Sequence, residues 1–557
     1  MDTFCKRLYA FSCKFIELFA LVLSALLFLG AFVCTGYATD MESQKVLLSL
    51  DNPLWGLFGI AAGIALLYLI TRLLDGERLA GGKRLSRALA VGNRSLRILF
   101  AAVALLYLVL GLFLVLFGKT VPAADAYSVY SAAQSAARGD LSVIHPTDSY
   151  LSYYPQQVGL MAFEELFIRL WNLLPTGQHA YHGLKLLYIL LAIASLSFQR
   201  KTMHLIWADE KAEQIFLLLS ALNLPFIMYT SFVYGEIPSF FTFSAGLYLL
   251  TKYLKDVDKG TAKRTASAVG AVICLVLSVM LRKNSLILIL AVCIVLIGEW
   301  LRTRHHTLPL LAIVLLICSI GILPAVQKTY ELRSGSTLKS GVTATSYLAM
   351  GMQESSRANG WYNGFNFETY RDTGMDTAAT NTISRQAIAD RLSYFKAHPA
   401  YAASFYLGKH LSQWADGTFA CRQATLATFG GRSDVCTSLY EGEYSRFFIV
   451  YCNLFQNLLY LGVFCFCRFV WKNARRAKAP ATEAVTLQQF EQTAETDTAP
   501  ILVQYAGFIG VVGGFLFHIF WEANSRYIFL YGLLLVPYAA RGLSGIFTII
   551  LCKGELS

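Results

Sequence analysis

Apolar runs of roughly membrane-crossing length recur along most of this chain, and that recurrence decides its fold class. In lipid every backbone N–H and C=O must be bonded within the protein, so each run is expected to be a helix. A β-barrel would show short alternating segments instead, and none dominate. About twelve spans are expected, over residues 18–33, 54–70, 98–117, 184–198, 215–229, 237–254, 266–281, 286–300, 308–326, 447–470, 501–521 and from 527 into the Arg541 region. The first follows Lys6, Arg7 and Lys14, is long for a cleaved signal, and is read as a retained span. Only 15% of the 557 residues are charged, against about 25% in an average soluble protein.

The net charge of +12 would raise the question of nucleic acid in a soluble protein. Here the positive residues gather in short loops between apolar runs, as they do in cytoplasmic loops, and no nucleic-acid partner is expected. With the N-terminus inside, the inside loops hold Arg72, Arg78, Lys83, Arg84, Arg87, Arg94 and Arg97; Arg200 and Lys201; Lys252, Lys255, Lys259, Lys263 and Arg264; Arg302 and Arg304; and Arg468, Lys472, Arg475, Arg476 and Lys478. One basic pair, Arg282-Lys283, falls outside.

Three segments are not spans. An outer loop over 119–182 contains an amphipathic stretch at 158–174 that suits the membrane interface. Residues 327–446 are polar enough to fold in water as an outer, mainly helical domain. Residues 479–500 read as a solvated cytoplasmic linker. In the outer domain Asp376 and Thr377 can cap a helix with an apolar face of Ile383, Ile388, Leu392 and Phe395, ended by His398-Pro399, and a second helix is expected over 400–414. The turn-rich run Asn359-Gly-Trp-Tyr-Asn-Gly-Phe-Asn-Phe puts Trp361 and Tyr362 beside amides, which suits either sugar or headgroup contact or simple core packing. Of the 12 cysteines, Cys421 and Cys436 share this domain and are expected to form a disulfide. No Cys/His spacing suggests a metal site, and neither a metal nor another cofactor is expected.

The unusual charges converge on one face. Asp125 follows the third span; Glu236 opens the sixth; Arg282 and Lys283 join the seventh and eighth; Glu522 and Arg526 join the last two. Taken singly, each has a plain alternative: Asp125 as a loop acid, Glu236 as an acid favoured in a first helical turn, Arg526 as a snorkelling anchor. Taken together, the bases can hold an anionic headgroup such as a lipid phosphate, and an acid can take a proton from an acceptor hydroxyl.

Tyr-Gly-Glu-Ile-Pro-Ser-Phe, Arg-Lys-Asn-Ser-Leu-Ile and Asn-Ser-Arg-Tyr-Ile-Phe, in that order and on one side, resemble segments of bacterial GT-C glycosyltransferases. The chain is most similar to the protein O-mannosyltransferase and aminoarabinose transferase family, over roughly residues 98–541. The resemblance implies transfer of a sugar from a polyprenyl-phosphate donor to an acceptor (glycan, lipid or protein) at the outer face of a multi-pass cell-membrane protein, with inversion. It makes Asp125 and Glu236 the catalytic acids, matching those of the first and second outer loops, and the bases Arg282 and Arg526, with Lys283 nearby, are expected to bind the donor phosphate. Asp148, Glu522, Trp361 and Tyr362 are candidates for acceptor contact or support. Many members carry two adjacent acids in the first loop, whereas Ala126 follows Asp125 here.

The expected division is therefore 1–97, two added spans and a basic loop; 98–326, a GT-C-like core; 327–446, the outer domain; and 447–557, the last spans with the linker. A lipid-linked sugar flippase or transporter is the competing reading. It would need polar or broken helices near mid-membrane, for which Asn223 and Pro225 are the one hint. An inactive membrane scaffold is the third.

Overall fold

A computed structural model describes residues 2–38, 44–74, 92–145, 147, 149–175, 179–256, 261–426, 432–476 and 502–554. Asp148 and the linker 479–500 lie outside the described residues, as does most of the loop between the second and third spans.

The protein is an all-α polytopic membrane protein. Ten described helices are long and apolar enough to cross a membrane. Every expected span is helical. The sixth, Glu236–Lys255, is more polar than those ten. The fifth is broken: Glu210–Leu222 ends and Leu224–Tyr229 begins around Asn223, whose Oδ1 accepts from the Phe226 N–H at 3.2 Å. The Phe226 N–H turns to Asn223 rather than to Leu222, and the Tyr451 hydroxyl donates to the Leu222 carbonyl so freed at 2.6 Å, while Pro225 has no N–H to continue the helix. The break is thus a packed, satisfied bend.

One departure from an all-helical chain is a small antiparallel ribbon, Cys34–Ala38 with Val46–Leu50, between the first two spans. It docks on the helix Pro399–Trp414 through the Gly36 N–H, which donates to the Ala415 carbonyl at 2.9 Å.

Helix Glu236–Lys255 packs along Thr261–Leu281 and Ala180–Trp207, while Glu443–Arg476 packs along Phe529–Gly554 and Asp2–Val33. The amphipathic stretch forms Val158–Trp171, covered by the short helix Ala124–Ala137. Glu165 pins it: its carboxylate accepts from Arg169 Nε and Arg333 Nη2, both at 2.8 Å.

The helices expected over 377–397 and 400–414 form as capped. Asp376 Oδ1 accepts from the Ala378 and Ala379 N–H groups at the start of Thr377–Ala397, at 2.7 and 3.0 Å, and Pro399–Trp414 follows. The expected apolar face of the first holds in half: Phe395 and Ile388 pack inward with Met352 and Phe405, whereas Ile383 and Leu392 are 47% and 50% exposed and Thr380 and Ser384 are buried instead, where the helix seats on Ala344–Gly351. The expected disulfide is also absent. Cys421 and Cys436 are separately buried free thiols, and the Cys421 Sγ instead lies 3.6 Å from the Met228 sulfur.

Candidate functional site

Helix ends from four parts of the chain meet at one end of the bundle. Ser239 Oγ, one turn into Glu236–Lys255, contacts Ser285 Oγ at 2.7 Å and donates to the Ser278 carbonyl at 3.0 Å. Gly235 allows the close approach just above: a Cβ there would stand 2.5 Å from the Leu281 carbonyl oxygen. These contacts bring Glu236 beside Arg282. The acid suits its place, since a first-turn carboxylate meets the positive helix end, and Pro238 lies where no helical N–H is needed.

Glu236 is fully buried and ion-paired with Arg282 Nη1; Arg526 Nε stands 3.9 Å from the same oxygen. The contacts are Coulombic, with no donor among the described residues aligned for a hydrogen bond to either carboxylate oxygen. A buried carboxylate between two guanidiniums holds both in place, and burial leaves it no surface to offer a substrate. The resemblance makes Glu236 a catalytic acid; in this position it can act only through Arg282 and Arg526. Lys283 is different again: it is exposed and makes no hydrogen bond or ion pair with the described residues.

Arg526 is set from the other side. Its N–H donates to Asn524 Oδ1 at 2.9 Å, and Gln413 Nε2 donates to the Asn524 carbonyl at 3.1 Å. Its guanidinium lies over the rings of Tyr234 and Tyr527, each 5.5 Å away, and Phe232 at 5.9 Å.

Asp125 sits in the first turn of Ala124–Ala137, partly buried. Ala124, immediately before it, holds φ at +48°, a conformation that strains a residue with a Cβ. No described residue hydrogen-bonds or ion-pairs with the Asp125 carboxylate. Asp125 lies within electrostatic range of Tyr150, Tyr154, Tyr234, Tyr362, Glu522 and Arg526. A partly exposed carboxylate with no partner among the described residues, in range of a held arginine, can accept a proton beside an anion.

Glu522 accepts from the Tyr527 hydroxyl at 3.0 Å and is 6% exposed. Burial pushes its carboxyl up to about 7, against the Tyr527 hydrogen bond and the Arg526 charge. Below it Lys409, wholly buried, donates to the Ile519 and Trp521 carbonyls at 3.0 and 2.8 Å and to Gly351 O. Burial pulls that ammonium down to about 7, and the Glu522 charge opposes the shift. Tyr347 stacks on Trp521, ring centroids 5.1 Å apart.

The two aromatic candidates part company. Trp361 is core: it is 3% exposed and its indole N–H donates to Ser412 Oγ at 3.0 Å. Tyr362 is partly exposed under Arg357, 5.5 Å from its ring, and feels the charges of Glu522 and Asp125. The structure thus brings Asp125, Glu236, Arg282, Glu522, Arg526 and Tyr362 together. Sequence reasoning missed Tyr154, Tyr234 and Lys409. Tyr234 stands two residues before Glu236 in a quoted motif, but Lys409 is indistinguishable in sequence from a surface lysine.

No known family model matches this chain, and no curated protein matches it. One solved structure, the archaeal oligosaccharyltransferase AglB from Archaeoglobus fulgidus in complex with an inhibitory peptide and a dolichol-phosphate, aligns with a TM-score of 0.42 and 14% identity. The alignment covers 83% of this chain and 52% of that one, so this chain spans about half the length of its neighbour. Likeness at that level transfers no chemistry.

Proposed function

We propose that this protein is a GT-C-type membrane glycosyltransferase, moving a sugar from a polyprenyl-phosphate donor to an acceptor on the outer face of the cell membrane. It is of the kind found among protein O-mannosyltransferases and aminoarabinose transferases. The observation that carries the reading is a partly exposed Asp125, without a partner among the described residues, at the same end of the helices as an Arg526 held among aromatic rings and within range of its charge. The lipid tail would lie among the helices and its phosphate beside Arg526 and Lys283, with Arg282 held by Glu236 behind them.

The acceptor hydroxyl has a far higher pKa than a carboxylate. Asp125 therefore takes its proton as the new bond to the anomeric carbon forms, while the phosphate leaves from the opposite side with the bonding electrons. The cations stabilise that leaving charge, no separate acid is required, and direct displacement inverts the anomeric centre. We assign the chemistry to side chains alone, without a metal. Glu522 and Tyr362 line the acceptor side.

Transport has less support. The break at Asn223 is closed by its bond to the Phe226 N–H and by the Tyr451 hydroxyl on the Leu222 carbonyl, and Asn223 is 3% exposed.

The test is sugar transfer by the purified protein with a polyprenyl-phosphate-sugar donor. Asp125→Asn keeps the shape and removes the basicity, so turnover should fall roughly 10²–10⁴-fold with donor binding kept. A folded, donor-binding variant within a few-fold of the parent would remove Asp125 from the role.

A further inference from the structure

At the end of the bundle opposite Asp125 there is a second concentration of charge. Tyr248 lies twelve residues beyond Glu236 on one helix, about 18 Å along its axis at 1.5 Å per residue. With Arg97, Arg200, Lys201, His204 and Leu205 it lines a cavity of about 270 Å³. Three permanent cations and a histidine therefore share one opening between three helices.

Their counter-charge is incomplete. Glu213, 1% exposed behind the cavity, accepts from Arg200 Nη1 at 3.1 Å and contacts His204 Nδ1 at 2.8 Å. That one carboxylate is shared between two of the four groups. Arg200 Nε is a buried donor with no partner among the described residues. Arg97 is exposed and makes no hydrogen bond or ion pair with them. Lys201 is exposed and touches only ring faces, Phe198 at 5.5 Å and Tyr248 at 5.9 Å. Lys255 sits against the rim, donating to the Leu205 carbonyl.

We propose that this cavity binds a phosphate group, separately from the Asp125 site. Arg200, fixed by Glu213 through Nη1 and 23% exposed, leaves its other terminal N–H groups for a phosphate oxygen, and Arg97 and Lys201 close on the others. The cavity is of headgroup size and opens between helices at their basic ends, where the headgroup of an anionic phospholipid lies. Inorganic phosphate offers the same chemistry from water.

The experiment is thermal unfolding of the full-length protein in neutral detergent, titrated with phosphatidylglycerol, phosphatidylcholine or sodium phosphate. Three proteins are compared: the parent, Arg97→Ala/Lys201→Ala, and the control Lys263→Ala/Lys472→Ala, which removes two cations elsewhere. Phosphatidylglycerol should raise the parent's melting temperature saturably. The cavity variant should need roughly tenfold more lipid or greater, the loss of one charge-assisted contact or more, and the control should match the parent. A cavity-dependent response to phosphatidylglycerol alone assigns a lipid headgroup, and an equal response to sodium phosphate assigns a soluble source. The proposal fails if neither probe shifts the parent, or if phosphatidylcholine acts as strongly. It fails also if the control loses as much as the cavity variant, since net charge would then account for the effect.

Discussion

Glu236 separates a catalytic carboxylate from one that holds its neighbours. It has no exposed surface, Arg282 pairs with it directly, and Arg526 stands 3.9 Å away. Removing one member of a buried pair leaves the other charge uncompensated, at about 3–5 kcal/mol. Glu236→Ala and Arg282→Ala should each lower stability by roughly that amount. The double variant should cost clearly less than the sum, because the second change removes the charge that the first left stranded. The expected coupling is on the order of 2 kcal/mol, within the range seen for contacting pairs. The assay is unfolding of the four purified proteins under one detergent condition, beside donor KM for those that stay folded. A purely catalytic Glu236 predicts lost turnover with stability kept. Additivity within about 0.5 kcal/mol, or an unchanged melting temperature in Glu236→Ala, would refute the pairing argument.

Lys283→Ala should weaken donor use, raising KM roughly tenfold for one charge-assisted contact with melting unchanged; an unaltered KM would leave Lys283 an interfacial anchor. Cys421 and Cys436 should both alkylate after unfolding without reductant, read by intact mass; a reductant requirement would restore the disulfide. Single engineered cysteines in 479–500 should stay unlabelled by an impermeant reagent in intact cells while exposed outer-domain positions label, and the reverse pattern would invert the topology. Glu522 carries a pH test. Its folded-state value of about 7 lies above the ordinary 4.5, so the folded state binds the extra proton and stability is lost as pH rises between those values. Glu522→Gln should remove that loss, on the order of 3 kcal/mol at pH 8 from about 2.5 units, and equal melting shifts of variant and parent between pH 5 and 8 would sink it.

The bundle was legible because lipid forces one solution on an apolar run: each expected span is a helix, and the Asp376 cap and the His398-Pro399 stop stand where local chemistry puts them. Convergence of the charges on one end followed from loop alternation alone. What sequence could not supply is depth. Glu236 and Asp125 look alike in the chain, as acids in first helical turns. One is sealed between two arginines because Gly235 lets its loop close on Leu281, and the other remains partly open after a strained Ala124. Trp361 and Tyr362 are adjacent, yet one faces Ser412 in the core and the other is left partly exposed, because the Gly360 carbonyl is tied to the Ala523 N–H at 2.8 Å. That same tie fixes the Trp521–Glu522 turn over Lys409. A buried lysine whose three carbonyl partners lie 58 to 112 residues away leaves no local trace in sequence. It is nonetheless what holds the Glu522 side of the site against the helix Pro399–Trp414. That side of the site is therefore a product of long-range closure between this helix and the turn joining the last two spans, and neither part alone encodes it.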